Sequence, residues 1–246
     1  MSESTKLPVD MSVAEFLAWC PEDGQVWELV DGAPRAMAPA KMGHNALLGE
    51  LTALIRNHLL DRGGPCVAVP TPGVVPRVRA EFNLRVPDLA VTCTPFDATD
   101  AAMTEPVLIV EVLSPSNQAE TWANVWAYTT IPSLREILVL RTASVRADIL
   151  RRAGDGSWPE APEVVTEGEI ALDSIGFRAP LAALYRTTGL ARQGRATASA
   201  ARLPLPTPRS PGGGASRRRG CRPGSRRSRK TRTPASPGAP PRPPCP

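Results

Sequence analysis

The sequence predicts a mixed α/β sandwich, a central sheet of short strands flanked by two main helices. Two segments carry that prediction. Val107 to Leu113 is almost wholly apolar, as a strand buried on both faces should be. His44 to Leu60 places Leu47, Leu48, Leu51, Leu54, Ile55 and Leu59 at the 3.6-residue period of a helix. Short apolar runs separated by turn residues supply the remaining strands.

In chain order, Ser12-Val13-Ala14-Glu15 is a capping box that opens a short helix from Val13 to Trp19, with Val13, Phe16 and Leu17 on its apolar face. Pro21 to Gly24 stops it. Val26 to Val30 reads as a strand, Asp31-Gly32 as a hairpin turn, and Ala33 to Met37 as the return strand. Gly63-Gly64 ends the long helix, and Cys66 to Val69 is a short strand. Pro70 to Arg79 is a turn-rich bend. Leu84 to Val86 and Leu89 to Thr92 belong to sheet, interrupted at Pro87. After the central strand and Ser114-Pro115-Ser116, a helix runs from Ala119 to Thr129. Its packing stripe is Trp122, Val125, Trp126 and Thr129, with Glu120, Asn124 and Tyr128 on another face. Arg135 to Leu140 and Val145 to Leu150 form a strand pair, Gly154-Asp155-Gly156 a turn, and Leu181 to Tyr185 a last small element.

Charge divides the 246 residues into two unlike pieces. Residues 1–190 hold all 24 acidic residues and 15 of the 29 basic ones, and are long enough for one domain with a core. Residues 191–246 hold the other 14 basic residues, 12 of the 28 prolines and no aromatic residue. Such a segment buries too little apolar surface to offset its ordering entropy and reads as a disordered basic tail. It can grip nucleic acid through counterion release, or be a dispensable extension. The five cysteines are odd in number and form no CxxC or Cys/His cluster, which argues against a zinc site or a disulfide scaffold and fits a reducing cytoplasm. Met1 to Asp10 has no apolar signal-peptide core, and no stretch reaches the roughly 18–20 apolar residues of a membrane span.

Two acids stand out against this background. Asp88 follows Pro87 just before Leu89-Ala90-Val91, and Glu111 interrupts the central apolar strand. Buried charge is costly unless paired or metal-bound. Two carboxylates on adjacent strands, with the Val112 carbonyl, could hold a divalent cation against a phosphate. The same residues also suit a turn cap at Asp88 and an arginine-paired Glu111. Glu28 is another acid in an apolar strand, suited to metal or water contact or to a half-exposed strand face. His44, at the start of the long helix, could act as acid, base or phosphate contact, or simply begin the helix. His58 reads as a cap of that helix's last turn.

Taken in order, Trp27-Glu28-Leu29-Val30-Asp31-Gly32, Met37-Ala38-Pro39 with His44, Arg85-Val86-Pro87-Asp88-Leu89-Ala90-Val91, and Val110-Glu111-Val112-Leu113-Ser114-Pro115-Ser116 resemble a restriction-endonuclease family abundant in cyanobacteria. That family lies within the PD-(D/E)XK nuclease superfamily, and the resemblance covers residues 10 to 186. It implies a restriction-endonuclease-like sandwich, with a central mixed sheet flanked by helices. It also implies Asp88 and Glu111 as Mg²⁺ (or Mn²⁺) ligands, with Glu28 and His44 lining the site. The implied activity is metal-dependent hydrolysis of DNA phosphodiesters.

One position departs from the pattern. The superfamily lysine, two residues after the glutamate, is Leu113 here. The resembled family often supplies it instead from the next helix, four residues before a tyrosine; Tyr128 matches the tyrosine, and the lysine position holds Asn124. Asparagine can orient a water but carries no charge and takes no proton. Gln118 is a second candidate amide for orienting water, and Lys41, in the loop before His44, could stand in for the missing lysine. Arg77, Arg79 and Arg85 could form a local basic patch for DNA on an otherwise acidic domain. The competing reading is a non-catalytic protein on the same fold, with a binding or structural role; a third is a nucleic-acid binder driven by the tail. A homodimer would suit double-strand cleavage.

Overall fold

The computed structural model describes residues 10–19 and 24–190. The basic tail, the charged N-terminal residues and most of the Pro21 to Gly24 stop lie outside the described residues. A short helix α1 (Val13–Ala18) begins at the predicted capping box: Ser12 accepts from the Glu15 N–H, and the Glu15 carboxylate accepts from the Ser12 N–H. Strands β1 (Trp27–Val30) and β2 (Ala33–Ala36) form the predicted hairpin. Its turn needs left-handed backbone at both Asp31 (φ 50°) and Gly32 (φ 82°). A Cβ at Gly32 would also lie 2.7 Å from Asp10 Cα, so only glycine fits.

The long helix α2 (Met42–Arg62) leads to β3 (Val67–Pro70), then β4 (Leu89–Thr92) and the central β5 (Pro106–Leu113). Helix α3 (Gln118–Tyr128) crosses to β6 (Glu136–Arg141), which β7 (Ala147–Arg151) and β8 (Glu163–Val165) follow. These six strands form one mixed sheet in the order β3-β4-β5-β6-β7-β8, parallel between β5 and β6 and antiparallel elsewhere. The β5-α3-β6 crossover is the reason for the single parallel pair, since parallel neighbours need a long connection. A separate hairpin, β9 (Glu169–Leu172) and β10 (Phe177–Pro180), runs into the one-turn α4 (Leu181–Leu184).

Alternation along β5 sends its side chains to two cores. Val110 and Val112 face α2, where Leu47, Leu51, Ile55 and Leu59 pack with the β9–β10 hairpin and α4. Ile109 and Leu113 face α3, with Val125, Tyr128 and Leu134. A third cluster joins α1 to Leu29, Leu84 and Val86. Each fully buried Leu, Ile or Val contributes about 1.5–3 kcal/mol. The buried acids of β6 and β7 have partners: Asp148 lies 2.6 Å from Arg141 and 2.8 Å from Arg146, and Glu136 lies 2.9 Å from Arg151.

Several expectations are corrected. Helix α2 begins two residues before His44, which puts His44 inside the first turn. Leu84 to Val86 makes only isolated bridges, Leu29 to Leu84 and Val74 to Arg85, and is not a strand. The strands β8, β9 and β10 were not expected. Helix α3 is rotated from the predicted stripe: Thr121, Val125, Ala127 and Tyr128 are buried, and Trp126 is 43% exposed. His58 bonds the Ile175 carbonyl at 3.0 Å and packs its ring edge-on to Phe177, so it joins α2 to the β9–β10 hairpin rather than capping the helix. Cys66 and Cys93 form a disulfide, against the expectation of free thiols; the Val67 to Thr92 register sets them opposite each other at the ends of β3 and β4. Among the described residues no helix is long and apolar enough to cross a membrane.

Leu138, fully buried on β6 against the α2 core, tests this packing. Leu138→Ala is expected to lower unfolding stability by about 2–5 kcal/mol in urea denaturation.

Candidate active site

The β4–β5 register places Leu89 opposite Val110, and therefore Asp88 opposite Glu111. Both acids fall on the sheet face that carries Ala90, Ile109 and Leu113, the face covered by α3. Both are buried, Asp88 at 9% and Glu111 at 8% exposure. Among the described residues no lysine or arginine forms a salt bridge with either one. That removes the reading of Glu111 as an arginine-paired strand residue.

Their partners are instead each other, neutral donors and one imidazole. Asp88 Oδ2 accepts from the Val112 N–H at 2.7 Å and lies 3.1 Å from His44 Nε2. His44 reaches it from the first turn of α2, across the end of the sheet. Tyr128, at the end of α3, donates its hydroxyl to Glu111 Oε1 at 2.9 Å. Burial pushes the Glu111 carboxyl well above its ordinary pKa, and the neighbouring Asp88 charge pushes it the same way. Tyr128 is also pushed well up, by burial and by Glu111. Burial works against a charged His44, but the hydrogen bond and charge of Asp88 raise its pKa overall.

A second cluster adjoins the first along α3. Asn124 lies one turn before Tyr128, on the same helix face, and its Oδ1 accepts from Arg85 Nη1 at 2.9 Å. Arg85 Nη2 donates to Asn83 Oδ1 at 2.9 Å. Asn83 is itself held by the Asp31 N–H and carboxylate and by the Val78 carbonyl. Glu28, on β1, belongs to this cluster. Burial raises its pKa, while the charges of Arg85 and Arg35 and the Asn124 side chain oppose the rise. Among the described residues Glu28 Oε2 and Arg85 Nε are buried without a hydrogen-bond partner.

The fold thus gathers all five candidate residues: Asp88, Glu111 and His44 in one group, Glu28 and Asn124 in the other. Lys41 is an exposed N-cap of α2 and Gln118 an exposed first residue of α3. Arg77 and Arg79 are exposed, so of the expected basic patch only Arg85 turns inward. No local signal in the sequence marks the inward turn of Arg85 or the Tyr128 bond to Glu111. The i, i+4 spacing of Asn124 and Tyr128 was the signal for their shared face.

Asp88 and Glu111 fit a hard divalent cation. They are two buried carboxyls set in direct contact, with the Asp88 N–H also bonded to Glu111, and a cation would relieve the repulsion of their charged forms. Among the described residues no three His, Cys, Asp or Glu side chains are arranged to hold a metal ion together, so a cation here would rest on the two carboxyls.

Without a cation the strained carboxyl leaves a pH signature. Below about pH 4.5 Glu111 is protonated in both the folded and the unfolded chain. As pH rises, the unfolded chain releases that proton first, so stability falls until the higher folded pKa is passed. Glu111→Gln is expected to flatten this fall and to raise the thermal midpoint at pH 7 in EDTA; calorimetric melts between pH 4 and 8 check it.

Comparison with known proteins agrees with this architecture. An uncharacterized protein of Synechocystis, slr1290, is 31% identical over 178 residues, covering 72% of this chain and 92% of its own. A crystal structure from Anabaena variabilis, described as "a putative nuclease belonging to DUF820", superposes with a TM-score of 0.59 over 72% of this chain and 98% of that one. Its 15% identity shows a shared fold, the mixed sheet between helices. Residues 13–182, which span every element from α1 into α4, match the family described as "Putative restriction endonuclease" (Uma2), and the chain belongs to that family.

Proposed function

We propose that the protein is a metal-dependent DNA endonuclease whose centre is the Asp88–Glu111 pair. The observation that carries this reading is the burial of two facing carboxylates with no lysine or arginine paired to them among the described residues. Such a pair is costly in an empty protein and useful in one that binds Mg²⁺ or Mn²⁺. When bound, the cation supplies Lewis-acid charge for phosphodiester hydrolysis by water.

The protein's own groups prepare that chemistry. The Val112 N–H and His44 fix Asp88 through one oxygen, and Tyr128 fixes Glu111 through one. Glu111 also meets the Asp88 carboxyl and its N–H, so a cation would enter between two carboxyls already held against each other. His44, raised in pKa, can share or exchange a proton at Nε2 beside Asp88. Glu28, with one buried and unpartnered oxygen, can orient a water. Asn124 shapes the wall between them. DNA is the substrate that goes with this reading, and a homodimer would present two sites to a duplex.

A second reading has its own observation. Leu113 stands where the motif lysine belongs, and it is 2% exposed in the α3-side core. A non-catalytic protein on the nuclease fold would keep the carboxylate pair without cleavage.

Plasmid nicking by the purified full chain separates the two readings. Cleavage with Mg²⁺ or Mn²⁺ is expected, abolished by EDTA and reduced about 10²-fold or more in both Asp88→Asn and Glu111→Gln. Cutting by Asp88→Asn at the parent rate would sink the mechanism, and folded parent protein that cuts with neither metal would favour the non-catalytic reading.

A further inference from the structure

We propose that Arg85, clamped by Asn83 and Asn124, supplies the positive charge that the motif lysine gives other nucleases of this superfamily. The inference rests on the nuclease reading. It gives a role in the site to Arg85, which opens the Arg85-Val86-Pro87-Asp88 motif, and it bears on the asparagine at position 124.

Both usual sources of the charge are closed. Leu113 is packed into the α3-side core, and position 124 of α3 is an amide. Among the described residues Arg85 is the only buried lysine or arginine, at 7% exposure. Glu28 is the strongest counter-charge to this buried guanidinium, ahead of Tyr128 and Asp31, so the two candidate site residues face each other. The two terminal nitrogens of Arg85 are committed to Asn124 and Asn83, each at 2.9 Å, which fixes the plane of the fork. Asn83 is fully buried and held by four bonds besides the one from Arg85, so the clamp is anchored in the fold.

The clamp ties the charge to Glu28 and to the α3 face that carries Tyr128. Asn124 and Tyr128 share one face of α3, and Tyr128 bonds Glu111. The guanidinium therefore reaches the α3 wall one helical turn from the group that holds Glu111. Arg85 Nε and Glu28 Oε2 are both buried and unpartnered, leaving one donor and one acceptor in that wall for a water or a phosphate oxygen. Arg85 enters from the lead-in to β4, three residues before Asp88, whereas a motif lysine would enter from β5 or α3. Asn124 is then the positioning residue of the arginine. A guanidinium stays charged at every relevant pH, so it stabilises negative charge but removes no proton from water.

Moving the charge tests this in the full chain, with Mn²⁺ calorimetry and plasmid nicking as separate readouts. Arg85→Gln is expected to cut about 10²-fold more slowly. It is also expected to bind Mn²⁺ about 3–10-fold more tightly, because a like charge near the cation is gone. Arg85→Lys should keep most of the activity. Adding Asn124→Lys to Arg85→Gln should restore cutting at least about 10-fold and weaken Mn²⁺ again, an effect no structural role of Arg85 would produce. Parent-like cutting by Arg85→Gln, weaker Mn²⁺ binding in it, or no recovery by the added lysine in folded protein would overturn the proposal. Parent protein that binds Mn²⁺ but cuts nothing would instead overturn the nuclease reading, and the Mn²⁺ affinities alone would then decide whether the Arg85 charge is felt at the site.

Discussion

The structure turns on one arrangement, two carboxylates held face to face on neighbouring antiparallel strands. Asp88 and Glu111 meet because Leu89 pairs with Val110, and a one-residue slip would send one of them to the opposite core. Hydrophobic packing on both faces prevents the slip. Val110 and Val112 are committed to α2, and Ile109 and Leu113 to α3. The apolar character of β5 is thus what aims its single acid. Folding places like charges together in a poorly solvated place, and the sheet resists their separation.

The surrounding polar groups follow from that constraint. Three distinct elements contribute donors: the β5 backbone through Val112, α2 through His44 and α3 through Tyr128. None of them neutralises the pair outright, as an arginine would. The full positive charge stands off, in Arg85, tied to the same α3 face through Asn124. Elsewhere the protein treats buried acids differently. Asp148 and Glu136 are each matched by arginines at salt-bridge distance, the pattern of acids that serve structure. The contrast within one sheet is an argument that Asp88 and Glu111 serve something else.

Much of this was legible in the sequence where a local rule and the tertiary demand agreed. The capping box at Ser12, the left-handed Asp31-Gly32 turn and the leucine period of α2 are local signals, and the fold uses them unchanged. Glu111 was legible because charge inside an apolar strand is rare, and Asp88 because it follows a proline at a strand start. What failed was information held between elements. The two tryptophans of α3 mark the wrong packing face: the Tyr128 ring fills the core while its hydroxyl meets Glu111, and Trp126 faces outward. Cys66 and Cys93 are 27 residues apart and have no spacing motif; only the β3–β4 register sets them opposite. Strands β9 and β10 are short and half polar, and they owe their shape to packing against α2. Arg85 looked like its exposed neighbours Arg77 and Arg79, and only the position of Asn83 and Asn124 distinguishes it.

The central claim is that Asp88 and Glu111 are a cation site. Anomalous diffraction from crystals of the protein grown with Mn²⁺ tests it most directly. The account predicts one Mn²⁺ peak between the two carboxylates, with His44 and Tyr128 still bonded to them. Well-ordered carboxylates with no peak between them at saturating Mn²⁺ would contradict it, leaving Asp88 and Glu111 as a proton-sharing pair that serves the fold alone.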